Sequence, residues 1–192
     1  MHNLELSGFY SGQKAQACPG LQIPAYKPQT LNSEFRIPNS ELKKGDPMCT
    51  PVTDKDTAIA YVDGSYDIKT GRFSYGVVLF ADGRETHINR AFRHRELSSM
   101  RNVAGEIMGS GEAMKRAREM GIKKLTIYHD YEGIAKWCTG QWQAKKKWTK
   151  KYKAFYDEVS KDVEINFVKV TGHSGDKYND LADKLAKEAL GI

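Results

Sequence analysis

The stretch that most constrains this chain is Ala58–Tyr66, AIAYVDGSY. An apolar run over 58–62 ends on a single carboxylate, Asp63. A run this short, closed by glycine, reads as a strand that must be covered on both faces. An aspartate at its end is costly to bury unless something cationic compensates it. Gly64 and Ser65 follow at once. The strand is therefore expected to stop there and leave the backbone open to close approach by a ligand. Two readings of Asp63 follow: an aspartate that caps a turn, or a ligand to a divalent metal ion.

Around this stretch, residues 57–192 alternate between strand and helix patterns. The first strand is expected over 57–63, then a turn at IKTGR, Ile68–Arg72, and a strand at Phe73–Phe80. Asp82-Gly83 predicts a tight hairpin into a third strand over 84–93. Val103, Ile107, Met114 and Ala117 give helical spacing over 101–120. A buried strand at Lys124–His129, a short helix at Tyr131–Cys138, a helix over 149–160, a strand at Val163–Val170 and a helix over 177–190 complete the pattern. A meander of strands leading into alternating helices and strands implies an α/β chain, with a mixed sheet and helices on both faces.

Residues 1–56 differ in kind. They hold all six prolines and equal numbers of acidic and basic residues. They read as a poorly ordered extension, with Leu21, Ile23, Tyr26 and Phe35 available for local docking. The net charge of +6 therefore sits in the domain, 57–192, and favours a polyanionic partner. Cys18, Cys49 and Cys138 are odd in number, far apart and without CxxC spacing, which argues against a zinc site or a disulfide framework. The start has no signal-peptide pattern and no stretch is apolar enough to span a bilayer. The expectation is a cytoplasmic monomer with no membrane partner.

Three further carboxylates stand out. Glu106 lies in the predicted helix of 101–120 among Gly105, Gly109 and Gly111. Each glycine costs a helix about 1 kcal/mol relative to alanine, so close approach to another backbone is expected, with the first strand the obvious one. Glu106 alone could equally be a solvated helix residue. Asp130 ends a strand and could be a helix N-cap. Asp183 falls at the edge of the apolar face of the last helix. Taken together, two carboxylates end parallel-type strands and two come from helices that cover the sheet, where sites of open α/β sheets lie. Four carboxylates in one cleft would repel one another. Mg²⁺ or Mn²⁺ would resolve that, and two such ions about 4 Å apart form a clamp for phosphoryl transfer.

With AYVDGSY around Asp63, RNVAGEI around Glu106, IYHDYEGI around Asp130 and VTGHSGDKYNDLADKLAKEA around Asp183, residues 58–192 resemble type 1 ribonuclease H. The resemblance implies the ribonuclease H-like fold: a five-stranded mixed sheet, strands 1–3 antiparallel and strands 1, 4 and 5 parallel. It implies an endonuclease that cuts the RNA strand of RNA–DNA hybrids, with two Mg²⁺ ions that Mn²⁺ can replace, leaving 5′-phosphate and 3′-hydroxyl ends. Asp63, Glu106, Asp130 and Asp183 match the family's metal ligands, with Asp63 bridging both ions. The family pattern selects Asp183 over Asp180. Asp63 and Asp183 would hold the ion that activates water. Asp63, Glu106 and Asp130 would hold the ion at the leaving oxygen. His173, between Gly172 and Gly175, matches the mobile histidine that aids proton transfer or product departure.

Asn102 matches the family asparagine that contacts the RNA backbone; its plain alternative is an N-cap. Gly64 and Ser65 would border the substrate. The segment 137–153, WCTGQWQAKKKWTKKYK, resembles the family's basic protrusion, which grips the DNA strand. Lys145, Lys146 and Lys147 would meet phosphates, Trp137 would be core, and Trp142 or Trp148 would be the aromatic contact. Tyr131 and Arg101 depart from the family pattern. A non-catalytic binding module with the same fold is the main alternative, and retention of all four carboxylates argues against it. A nuclease or recombinase acting on another polynucleotide is a third reading, against which stand Asn102, the basic aromatic insertion and the compact size.

Overall fold

The computed structural model describes residues 51, 53–172 and 175–192, within a compact unit Thr50–Ile192. The extension expected over residues 1–56 falls, up to residue 50 and at residue 52, outside the described residues.

Five strands form one sheet in the order β3-β2-β1-β4-β5. They are β1 (Thr57–Asp67), β2 (Arg72–Ala81), β3 (Arg84–Phe92), β4 (Lys124–His129) and β5 (Glu164–Lys169). β1 pairs antiparallel with β2, and β2 with β3. β1 pairs parallel with β4, and β4 with β5. Asp82 and Gly83 both have positive φ, 50° and 66°, as a two-residue hairpin turn requires. The mixed sheet expected from sequence is the one observed.

One expectation is corrected. β1 does not stop at Asp63. It runs on through Gly64 and Ser65, which pair with Tyr75 and Ser74 of β2, as far as Asp67. The hairpin partner continues past that point, so the ladder continues with it. What does stop near Asp63 is the parallel ladder to β4, whose last pair is Tyr61 with Tyr128. The sheet opens there into a notch beside the carboxyl end of β4, where β1 runs on without it.

Among the described residues there are four α-helices: α1 (Asn102–Glu119), α2 (Gly133–Cys138), α3 (Lys147–Val159) and α4 (Lys177–Leu190). α1 lies against β1 and β2, with α3 packed on it in turn. Sandwiched this way, α1 is buried without a break from Ala104 to Met114, polar Ser110 and Glu112 included. Gly105 explains the close fit, since a Cβ there would overlap the Ser74 carbonyl and stand 2.8 Å from the Gly64 Cα. Gly111 has no such role, because nothing lies within 4 Å of the space a Cβ would take.

α4 covers the opposite face, over β1, β2 and β3. Its Leu185 and Ala182 join Tyr61, Val78, Phe80 and Tyr178 in one cluster. Each large side chain buried in such a cluster contributes about 1.5–3 kcal/mol. Ser74 Oγ donates to the Ala186 carbonyl at 2.5 Å and Asn89 Nδ2 to that of Leu185 at 3.1 Å. These bonds fix how far α4 slides along the sheet. Asp176 caps α4, its carboxylate accepting from the Tyr178 and Asn179 amides at 3.1 Å. No helix among the described residues is long and apolar enough to cross a membrane.

Candidate functional site

Three elements converge on the notch. Asp63 comes from β1 and is 8% exposed. Glu106 comes from the first turns of α1 and is 1% exposed. Asp130 follows β4 directly and is half-buried. One carboxylate oxygen from each lies within 4.8 Å of the others. The alternatives raised by sequence alone do not hold for Glu106 and Asp130. Glu106 is not solvated, and the residue preceding α2 is Glu132 rather than Asp130.

The electrostatics of the trio is unfavourable without a cation. Burial, then the charge of Asp130, push the Asp63 carboxyl up to about 7, against a single strong hydrogen bond from the Gly64 amide at 2.6 Å. Burial, then Asp130 and Asp63, push Glu106 up to about 9, with the Tyr131 amide acting in the opposite direction. Glu106 Oε2 is buried with no hydrogen-bond partner among the described residues. Oxygen-only donors, like charges and an orphaned buried oxygen fit a hard divalent cation such as Mg²⁺ or Mn²⁺.

Asp183 stands next to this trio but outside it. It projects from α4 with one-fifth of its side chain exposed, and its Oδ2 is paired with Lys187 Nζ at 2.6 Å. Its negative charge and the positive charge of Lys187 both act on Asp63. Lys187, four residues on, supplies the opposite charge from the same helix face. Asp180 is exposed.

His173 lies outside the described residues. Its neighbour Gly172 rests against Asp130, where a Cβ would stand 2.7 Å from Oδ2. Asn102 opens α1 and is exposed; the N-cap position belongs to Arg101, at φ 53°, and no side-chain cap bond forms. The N-cap alternative for Asn102 therefore fails. The reason expected for the bare backbone at Gly64, close approach by a ligand, is corrected. A Cβ there would overlap the Asn102 carbonyl, so its bareness serves the approach of α1. Ser65 is buried.

The basic segment separates into two kinds of residue. Lys145 and Lys146 are exposed and form no ion pair among the described residues. Lys147 is paired with Glu96 at 2.7 Å. Trp148 is corrected as a surface contact: it is 5% exposed, its ring edge to face with His94 at 5.0 Å. Trp142 is the exposed tryptophan, at 38%. It completes a triad with Tyr131 and Trp137, ring centroids 5.7–6.4 Å apart. Tyr131 and Trp137 line a cavity of about 360 Å³ with Met100, Val103, Lys145 and Lys146. Sequence reasoning noted Tyr131 as a departure and gave it no place in the site. It passed over Lys187, whose spacing of four from Asp183 was a legible signal.

The family model for RNase H matches residues 55–191. The chain is 29% identical over 129 residues to a ribonuclease H of Clostridium botulinum, covering 61% of this chain and 82% of that one. Among solved structures, the RNase H1 of Halobacterium salinarum NRC-1 superposes with a TM-score of 0.58 at 22% identity, over 70% of this chain and 98% of the other. LC11-RNase H1 in complex with an RNA/DNA hybrid gives a TM-score of 0.55 at 17% identity, over 69% and 99%.

Proposed function

The chain belongs to the ribonuclease H family, and from that premise we propose that it hydrolyses the RNA strand of RNA–DNA hybrids with two Mg²⁺ ions, leaving 5′-phosphate and 3′-hydroxyl ends. The convergence of Asp63, Glu106 and Asp130 in the notch beside the end of β4 carries the reading. Asp63, Glu106 and Asp130 would hold one ion; Asp63 and Asp183, once released from Lys187, would hold the other. When bound, such ions supply an activated water and a counter-charge at the leaving oxygen. Mn²⁺, with the same preference for oxygen, would substitute.

The remaining roles fall to the chain's own groups. Asn102, exposed beside Glu106, presents an amide that donates to and accepts from a 2′-hydroxyl, the group that marks RNA. The cavity under Tyr131 and Trp137 offers an apolar wall for deoxyribose and, in Lys145 and Lys146, cations for phosphate. A similar fold seated on an RNA/DNA hybrid in LC11-RNase H1 supports this substrate class. His173 would move a proton or ease product departure.

The deciding experiment offers matched hybrid, RNA duplex, DNA duplex and single-stranded RNA with Mg²⁺, Mn²⁺ or EDTA. Metal-dependent cutting confined to the RNA of the hybrid is the expected result. Binding of the hybrid without cutting under every metal would overturn it.

A further inference from the structure

One fully buried polar side chain at the site has no part in the chemistry above. His129 is the last residue of β4, immediately before Asp130, and is 1% exposed. We propose that His129 is a positioning residue of the active site, whose imidazole holds the Asp130–Tyr131 turn through the Tyr131 carbonyl. The inference rests on the reading of Asp63, Glu106 and Asp130 as metal ligands.

His129 Nδ1 lies 3.0 Å from the Tyr131 carbonyl oxygen. A carbonyl only accepts, so the hydrogen is on Nδ1. The same oxygen accepts a second bond, from the Ile134 amide at 3.1 Å, where α2 begins. The other side of the turn faces the site itself, because the Tyr131 amide acts on Glu106 and favours its charged form. The backbone before the turn is fixed as well, since the His129 carbonyl accepts from the Val170 amide at 2.9 Å. Asp130 thus sits between two anchored residues, and the imidazole supports the turn from below. Without that bond, the Tyr131 carbonyl keeps one partner instead of two and its peptide is free to rock. Rocking would carry the Asp130 carboxylate and the Tyr131 amide away from Glu106 together.

The alternative is a histidine that only fills space. Its ring edge does pack on Phe167, centroids 5.9 Å apart. Yet Nε2 is buried with no partner among the described residues. A leucine would fill the space without stranding a nitrogen, so filling alone gives no reason for the imidazole. The hydrogen bond to Tyr131 does.

Three variants separate the readings. In His129→Asn the amide nitrogen falls near the place of Nδ1. In His129→Gln it falls near that of Nε2. His129→Leu fills space without a donor. Mn²⁺ binding would be measured by titration calorimetry, with thermal melting as the check on folding and the metal dependence of hybrid cleavage beside it. The Leu and Gln variants are expected to bind Mn²⁺ about 10-fold or more weakly, the usual effect of losing a group that orients a ligand. Their kcat at saturating metal should be largely kept, and His129→Asn should bind as the unmodified protein does. Unweakened binding in the Gln variant, or Asn as weak as Gln, would overturn the proposal; this comparison stands even if the Leu variant does not fold. Failure of the unmodified protein to bind Mn²⁺ at all would instead remove the metal reading beneath it.

Discussion

Gly64 and Glu106 meet backbone to backbone: a Cβ on Gly64 would stand 2.6 Å from the Glu106 amide nitrogen. The bareness of one residue in β1 thus sets the position of a carboxylate in α1. The same close approach couples stability to the site.

Gly64→Ala is therefore expected to cost about 1–3 kcal/mol or more, as overpacking does. It should also lower hybrid cleavage by pushing Glu106 away from Asp63. Urea unfolding followed by cleavage kinetics checks both. An alanine variant of unchanged midpoint and activity would mean that α1 has room to move.

Asp63→Asn should reduce cleavage by about 10²-fold or more, on the scale of losing a group that stabilises transition-state charge. Hybrid binding should persist, because Lys145, Lys146 and the cavity are untouched. Removing one of the like charges should also raise the stability of the metal-free protein. A thermal melt without metal, a gel-shift titration and a cleavage time course test the three parts.

Stability should depend on pH and metal together. Asp63 and Glu106 are raised from 3.8 and 4.5 to about 7 and about 9, so the folded state holds their protons more tightly than the unfolded state. That favours folding at acid pH, and the advantage is lost as pH rises from about 4 towards about 9. Burial holds His129 below its ordinary value, which acts oppositely as pH falls through its range. Adding Mg²⁺ isolates the carboxylates. The stabilisation it gives should be small near pH 5 and grow to the order of a few kcal/mol near pH 8.5, read from melts with and without the ion.

Lys145→Ala with Lys146→Ala should weaken hybrid binding and flatten its salt dependence, by about one unit of slope for each phosphate that a lysine no longer neutralises. Lys147→Ala should change the slope less, since its ammonium is already engaged with Glu96. Fluorescence-anisotropy titrations over a range of salt distinguish the two.

The strands and helices were legible because hydrophobic period and turn residues agree along most of the chain, while the pairing of the strands followed from the resemblance. KLTIYH and the last helix fall within the bounds expected for them. The end of β1 was not legible. Glycine and serine ordinarily close a strand, but here the antiparallel partner carries it on and a helix backbone uses the glycine's space. Singly, Asp63, Glu106 and Asp130 each left a plain alternative open, and it was their joint arrangement, with the resemblance, that pointed to one cluster. The state of Asp183 was not legible, because its pairing with Lys187 depends on side-chain conformations. Trp148 and Trp142 sit in one basic segment with similar neighbours, and only packing tells the buried ring from the exposed one.

β1 passing through Asp63 without a break has a further consequence. Asp63 is clasped in a ladder that continues on both sides of it, whereas Asp130 stands on a turn beside the bare backbone of Gly172. The two carboxylates therefore keep their places by different means: Asp63 by the ladder it belongs to, Asp130 by the few bonds that hold its turn, among them those at His129 and Tyr131. A change that loosens the turn would shift Asp130 and leave Asp63 where it is, so the two walls of the cleft can be altered one at a time.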